Sequence, residues 1–160
     1  MRFVTSKSPE FAELKAEVES YPRLSGYYII DLVAIPGFPD HDADRENLLD
    51  ELFQHFDDRD WPPPRDRPTD QTWDDYERDR QVAADHAVEA LIGGPQIGHT
   101  AFTIGPAKAL EFWNRFESLF SEPRHYYTGM GFGDPEHVFL HGAVIIDNHK
   151  AGILWIVESD

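Results

Sequence analysis

The 160-residue chain contains no cysteine. This absence excludes disulfide bonds, thiolate metal sites and cysteine nucleophiles together. The apolar run near the C-terminus, residues 151–157, is far shorter than the roughly 20 residues that a membrane-spanning helix needs. The first residues turn polar after Phe3 and Val4 and do not form the apolar segment of a secretion signal. We therefore expect a cytoplasmic protein without membrane contact.

Basic side chains are scarce as well. The chain has 30 Asp and Glu against 14 Lys and Arg, which gives a formal net charge of −16 at pH 7. A surface of this charge repels nucleic-acid phosphates and anionic lipid head groups, and it attracts basic proteins and cations. Salt adaptation of the organism explains the same acidity. We expect a basic protein partner, and neither a nucleic acid nor a membrane.

Catalytic and cofactor motifs are also lacking. No serine stands in the Gly-x-Ser-x-Gly context of a nucleophile elbow. The glycines in 129–133 alternate like those of a dinucleotide-binding loop, but Asp134, Pro135 and a predicted strand follow them. A phosphate-binding loop opens instead into a helix whose N-terminus meets the phosphate. The sequence therefore predicts no cofactor and favours a non-enzymatic protein.

The composition is that of one folded domain covering residues 1–160. Apolar residues make up 41% of the chain, including 11 Phe, 6 Tyr and 4 Trp. A domain of this length buries about 70% of the surface that its unfolded chain exposes. Capping residues and apolar residues at helical spacing predict four helices. These run over 9–21, 44–57, from 69 or 72 to 92, and 106–120.

Runs of β-branched and aromatic residues predict the strands. They cover 1–5, 26–35, 99–104, 138–146 and 152–157, and the last two form a hairpin with a five-residue loop. Because the runs are apolar on both faces, apart from Asp31, we place 26–35 and the hairpin inside the sheet. The segment 121–134 is predicted to be a loop. The expected fold is α+β: a mainly antiparallel sheet with a C-terminal β-hairpin and three to four helices packed on it.

A calcium site is one alternative function. The segment from Asp40 to Glu51 places Asp40, Asp42, Asp44 and Glu51 at positions 1, 3, 5 and 12 of a loop, as in an EF-hand. The turn position that requires glycine is Arg45, which brings a positive charge to the proposed ion. Acidic residues at the start of the second helix explain the same pattern.

The histidines do not predict a metal site. His137 and His141 lie four apart in a predicted strand, which separates them by roughly 13 Å. His55 and Asp57 have the His-x-Asp spacing of a non-haem iron site, but no third ligand is evident. We expect no bound metal at these residues.

A second alternative is a small enzyme or ligand-binding domain built around residues 124–141. Here a loop rich in His, Tyr and Arg precedes the glycines, and two histidines follow them. Such a loop over a strand edge suits a pocket for an anionic ligand. The candidate lining residues are Arg124, His125, Tyr126, Tyr127, His137 and His141.

The preferred hypothesis rests on an acidic block. Residues 40–85 hold 16 acidic and 6 basic residues, and thus ten of the sixteen net negative charges. Acids there alternate with large aromatics, a composition typical of an interface anchor with an electrostatic rim. The candidate partner-binding residues are Asp57, Asp58, Asp60, Trp61, Asp66, Asp70, Asp74 and Asp75. We therefore expect a non-enzymatic acidic module that antagonises a basic protein, as an immunity or antitoxin protein blocks a toxin.

Overall fold

A computed structural model describes residues 2–21, 27–56, 72–92, 104–129 and 139–158, without the side chains of 139–141 and 157–158. Four α-helices, a short 3₁₀ helix and five strands make up this part of the chain. Their order is α1 (Pro9–Glu19), β1 (Tyr27–Ala34), α2 (Asp42–Phe56), the 3₁₀ helix (Trp73–Tyr76), β2 (Glu77–Arg78), α3 (Arg80–Leu91), α4 (Pro106–Glu117), β3 (His125–Tyr127), β4 (Phe139–Ile146) and β5 (Lys150–Glu158).

The strands form one antiparallel sheet in the order β1-β5-β4-β3-β2. The predicted α+β class and the C-terminal hairpin are therefore confirmed, and β4 and β5 lie in the middle of the sheet as expected. Among the described helices, none has the length and apolar character needed to cross a membrane.

Helices cover both faces of the sheet. Residues of α1, α3 and α4 pack on one face together with Leu154 and Ile145. Residues of α2, with Trp73, pack on the other face together with Ile153 and Trp155. Because side chains alternate along a strand, β4 and β5 must supply apolar residues to both layers. This explains the apolar runs 142–146 and 151–157 within them.

Strand β1 lies at the edge of the described sheet, so the prediction that 26–35 is an interior strand is wrong. Its apolar character comes from the helices above and below it. Among the described residues, the outer edge of β1 meets a short stretch of the N-terminal segment, where Thr5 forms an isolated bridge with Val33 and the Ser6 N–H donates to the Leu32 carbonyl at 2.6 Å. In place of a strand over 1–5, the described residues form this single bridge.

Three further predictions differ from the structure. The third helix is interrupted, because Asp75 accepts from the Thr72 N–H and closes the 3₁₀ helix, while Asp79 caps a new helix by accepting from the Val82 N–H. The segment 121–134 contains strand β3 and is not all loop. The hairpin loop has three residues, not five, because the buried Asp147 carboxylate binds the N–H groups of His149 and Lys150. The predicted strand over 99–104 lies outside the described residues, except for Ile104, which is not in a strand.

An ionic network around the buried carboxylate of Glu117 joins α3, α4 and β3. Arg80 donates to both carboxylate oxygens of Glu117 at 2.6 and 2.7 Å, and the Tyr126 hydroxyl donates to the same carboxylate at 2.5 Å. Burial raises the pKa of Glu117, but the bonds from Arg80 and Tyr126 outweigh it and hold the pKa below the usual value of 4.5. The network therefore stabilises the fold while Glu117 is ionised.

We predict that Glu117→Gln lowers the free energy of unfolding by about 2 kcal/mol at pH 7, because a charged hydrogen-bond acceptor is lost. The difference in stability between the two proteins shrinks as the pH falls below about 4.5. Because the pKa of Glu117 is lower in the folded than in the unfolded state, acid removes the stability that the wild-type carboxylate contributes. Urea unfolding at several pH values measures both effects. Glu111→Gln, at an exposed position on the same helix, serves as the control. A pH-independent difference would contradict the assignment.

Gly142 allows β4 to approach β5 closely. A Cβ at this position would lie 2.0 Å from the Leu154 carbonyl oxygen and 2.7 Å from the Trp155 Cα, and both atoms belong to the backbone. A side chain here would force the two central strands apart.

We therefore expect Gly142→Ala to lower the free energy of unfolding by about 3 kcal/mol or more, as severe overpacking does. Gly105→Ala is the matched control, because a Cβ there meets nothing within 4 Å. Thermal unfolding followed by circular dichroism compares the two variants. Equal, small losses in both would show that the strands are not in this close contact.

Candidate functional site

Most of the predicted partner-binding residues lie outside the described part of the chain. These are Asp57, Asp58, Asp60, Trp61, Asp66 and Asp70. The structure describes Asp74 and Asp75, at the 3₁₀ helix, and the acids of α2.

Asp74 is paired with an arginine of its own chain. Arg45 donates through Nε to Asp74 Oδ1 at 2.9 Å and through Nη2 to Oδ2 at 2.5 Å. This bidentate pair lowers the pKa of Asp74 and raises that of Arg45. Arg45 also donates to Asp42 Oδ1 at 2.7 Å and to the Asp40 carbonyl at 3.1 Å. The charge of Asp74 thus holds the start of α2 to the 3₁₀ helix.

Asp75 and two acids of α2 also have structural partners. Asp75 accepts from the Thr72 N–H at 3.0 Å in the capping box of the 3₁₀ helix. Glu46 accepts from the Trp73 N–H at 2.8 Å, and Asp50 accepts from the Trp73 indole N–H. Trp73 is buried and its ring packs edge-on against Phe53, with the centroids 4.7 Å apart. Part of the acidic block therefore anchors Trp73.

The outward side of α2 forms an acidic groove. This groove has a volume of about 510 Å³ and lies between the helix and the segment that follows β1. Its carboxylates are those of Asp44, Asp50 and Glu51, and its apolar lining residues are Pro36, Pro39 and Leu48. Asp44 and Glu51 are exposed and lie two helical turns apart. Among the described residues that line it, none is a lysine or an arginine.

This lining suits a basic side chain. The aliphatic stem of Lys or Arg packs on apolar surface while its charged end stays near water and carboxylates. Pro36, Pro39 and Leu48 supply the apolar surface, and Asp44 and Glu51 supply exposed negative charge. The sequence analysis missed this groove. Its signal was the Pro36–Pro39 turn placed before an acidic helix, but only the folded chain brings the two together.

The calcium alternative does not agree with the structure. Helix α2 begins at Asp42, so Asp44 and Glu51 lie on a helix, whereas an EF-hand needs a continuous binding loop. The Arg45 guanidinium binds both Asp42 and the Asp40 carbonyl. Within the described ranges, no group of three or more His, Asp or Glu side chains is arranged to hold a metal ion. These acids therefore do not form the calcium loop that their spacing suggests.

The candidate pocket residues of β3 are divided between the two faces of the sheet. Tyr126 packs on the α4 side, where its hydroxyl donates to Glu117, and Tyr127 packs on the α2 side against Phe53. Arg124 donates through Nε and Nη2 to the Phe120 carbonyl at 3.0 and 2.8 Å, near the end of α4. These three side chains therefore do not line one pocket.

His125 is the most accessible of the described candidates in this region. Its ring stacks on Phe38, with centroids 4.1 Å apart, and its Nδ1 lies 3.0 Å from Glu77 Oε2. His137 lies outside the described residues. His141 belongs to β4, but its side chain also lies outside the description. That His137 and His141 line a ligand pocket therefore stays a prediction.

The comparisons with known proteins add no relative from which a function can be transferred. No family model, curated protein or solved structure matches this chain. The geometry of its own residues is therefore the basis for a functional proposal.

We predict that Arg45→Met lowers the free energy of unfolding by about 2 kcal/mol, since it leaves the partly buried Asp74 without its charged donor. Hydrogen exchange at the Trp73 amide should accelerate at the same time, because the 3₁₀ helix loses its tie to α2. Arg78→Met is the control, since Arg78 is exposed and donates to the Asp75 and Glu77 carbonyls. A larger effect at Arg78 would refute the role given to Arg45.

Proposed function

We propose that this chain is a non-enzymatic binding module that recognises a basic protein through the acidic groove of α2. The observation that carries this proposal is the groove itself, where Asp44, Asp50 and Glu51 lie beside apolar surface and no lysine or arginine stands among the lining residues that the structure describes. The occupant is a lysine or arginine side chain of the partner. Antagonism of a basic toxin, in the manner of an immunity or antitoxin protein, is the function that this recognition suits best.

The acids of this region have two different roles, structural and exposed, and this supports the proposal. Asp74, Glu46 and Asp50 accept hydrogen bonds that hold the 3₁₀ helix on α2. Arg45 of α2 also donates to the carbonyls of Pro39 and Asp40, which ties the turn after β1 to the same helix. Asp44 and Glu51 are exposed on this helix. A preorganised surface loses less conformational entropy on binding than a flexible one.

The net charge of the chain supports it as well. A net charge of −16 attracts a basic partner over a distance before the two surfaces touch. Electrostatic steering raises association rates to about 10⁸–10⁹ M⁻¹s⁻¹ at low salt. Such an interaction weakens as salt is added, because ions screen the exposed charges.

The test is a charge reversal with a matched control. The double variant Asp44→Lys, Glu51→Lys changes the groove, and Glu13→Lys, Glu111→Lys makes the same change in net charge at exposed positions of α1 and α4. Binding to an oligo-arginine peptide is measured by calorimetry at low and high salt. We expect the groove variant to bind at least about tenfold more weakly than the control, a change of roughly 1.4 kcal/mol.

The same pair of variants is then used in pulldowns from the native lysate at both salt concentrations. A basic protein captured by wild type and by the control, but not by the groove variant, supports the proposed function. Equal weakening in both variants would mean that only net charge matters. Binding that does not respond to salt would also refute an electrostatic recognition site.

A further inference from the structure

A second cavity lies at the edge of the sheet, away from the carboxylates at 44 and 50. Its volume is about 500 Å³, which is in the usual range for small-molecule sites. Helix α1 contributes Lys15 and Glu19 to its lining, strand β1 contributes residues 27–31, and the end of α2 contributes His55 and Phe56. The cavity therefore combines charged groups of both signs with aromatic and aliphatic surface.

Asp31 holds the imidazole of His55 in one orientation. The Asp31 carboxylate accepts from the Thr5 hydroxyl at 2.7 Å and from the Leu32 N–H at 2.8 Å, and its other oxygen lies 3.0 Å from His55 Nε2. A carboxylate only accepts hydrogen bonds, so Nε2 carries the proton of the neutral ring. Phe3 and Phe56 pack around the same ring, with centroids 5.5 and 5.9 Å away.

This arrangement leaves Nδ1 as a hydrogen-bond acceptor. In the neutral ring, the nitrogen opposite a donating Nε2–H carries a lone pair. Within the described part of the chain, Nδ1 of His55 forms no hydrogen bond, and the side chain is 30% exposed. His55, which lines the cleft, thus carries an acceptor whose orientation is fixed by Asp31.

Lys15 and Glu19 offer opposite charges on the wall formed by α1. They lie four residues apart and so occupy adjacent positions on one helix face. Neither side chain forms an ion pair, with the other or elsewhere, among the described residues. In contrast, Arg115 on α4 is paired with Glu17 of α1 at 2.5 Å. The cleft therefore has an available cation and an available anion side by side.

We propose that this cleft binds a small zwitterionic phenol, the chemical class of free tyrosine. The ligand carboxylate pairs with Lys15, its ammonium group pairs with Glu19, and its phenolic hydroxyl donates to His55 Nδ1. The ring of the ligand lies against Ile29 and Phe56. A ligand with only a negative charge is repelled by Glu19, and a ligand with only a positive charge is repelled by Lys15. A zwitterion pairs with both side chains.

The proposal is tested with L-tyrosine and with three probes that each lack one of its polar groups. L-tyrosine carries all three polar groups. L-phenylalanine lacks the hydroxyl, tyramine lacks the carboxylate, and 3-(4-hydroxyphenyl)propionate lacks the ammonium group. Each is titrated into ¹⁵N-labelled protein, with amide shifts followed at residues 27–31 and ring shifts at His55. We expect tyrosine to shift these signals and each other probe to bind about tenfold more weakly.

Variants assign each contact to its residue. Lys15→Met should remove the preference for tyrosine over tyramine, and His55→Phe should remove the preference for tyrosine over phenylalanine. Lys108→Met, on α4 and outside the cleft, should change neither preference. Where His55→Phe does not fold, the comparison of tyrosine with phenylalanine on wild type decides the role of the hydroxyl. Equal binding of all four probes, no shifts with tyrosine, or shifts away from the cleft would overturn the proposal.

Discussion

Burial of both faces of the central hairpin is the constraint on which the described structure depends. Strands β4 and β5 lie between a layer formed by α1, α3 and α4 and a layer formed by α2 with the 3₁₀ helix. The central residues of each strand must therefore be apolar on both faces, and each strand must come close to its neighbours. Gly142 permits the approach of the two backbones, and Gly152 leaves room for the rings of Phe116 and Phe120. The remaining strands add to the two sides of this hairpin.

Carboxylates join neighbouring elements of the fold. Glu117 joins α4 to Arg80 and Tyr126, Asp74 joins the 3₁₀ helix to Arg45, and the buried Asp147 forms the hairpin turn and also accepts from the Ser121 N–H. A chain with so many acids thus uses some of them inside its own fold. The charge available to a partner is therefore smaller than the composition implies.

Helix α2 contributes to both of the cavities described above. Its inner side is fixed on the sheet by Leu49, Leu52 and Phe53, all of which are buried. Its outer side near Asp44 meets the turn after β1 and presents carboxylates and apolar surface, which suits a basic side chain. Its last turn brings His55 to Asp31 on the edge strand, where α1 adds charges of both signs. The first surface suits a protein partner, and the second suits a small ligand.

The sequence by itself determined the α+β class, the central hairpin, and the presence of helices near 9–21, 44–57 and 106–120. These features depend on local periodicity and capping, which neighbouring residues express directly. The acidity and the lack of catalytic motifs were likewise evident from composition. The break before Arg80 was not evident from the sequence. Two successive capping patterns, at Thr72 and at Asp79, divide the segment, whereas its apolar stripe is continuous and favours one helix.

Only the tertiary structure decided which polar residues have internal partners. The bond from His55 to Asp31 spans 24 residues, and that from Arg45 to Asp74 spans 29. The position of β1 at the edge of the sheet was also not evident from the sequence. A strand that is covered by helices on both faces is apolar whether it has one neighbouring strand or two. Tyr126 and Tyr127 look like one cluster in the sequence, yet the alternation of a strand places them on opposite faces. Contacts of this kind depend on the packing of distant segments, which local sequence patterns do not encode.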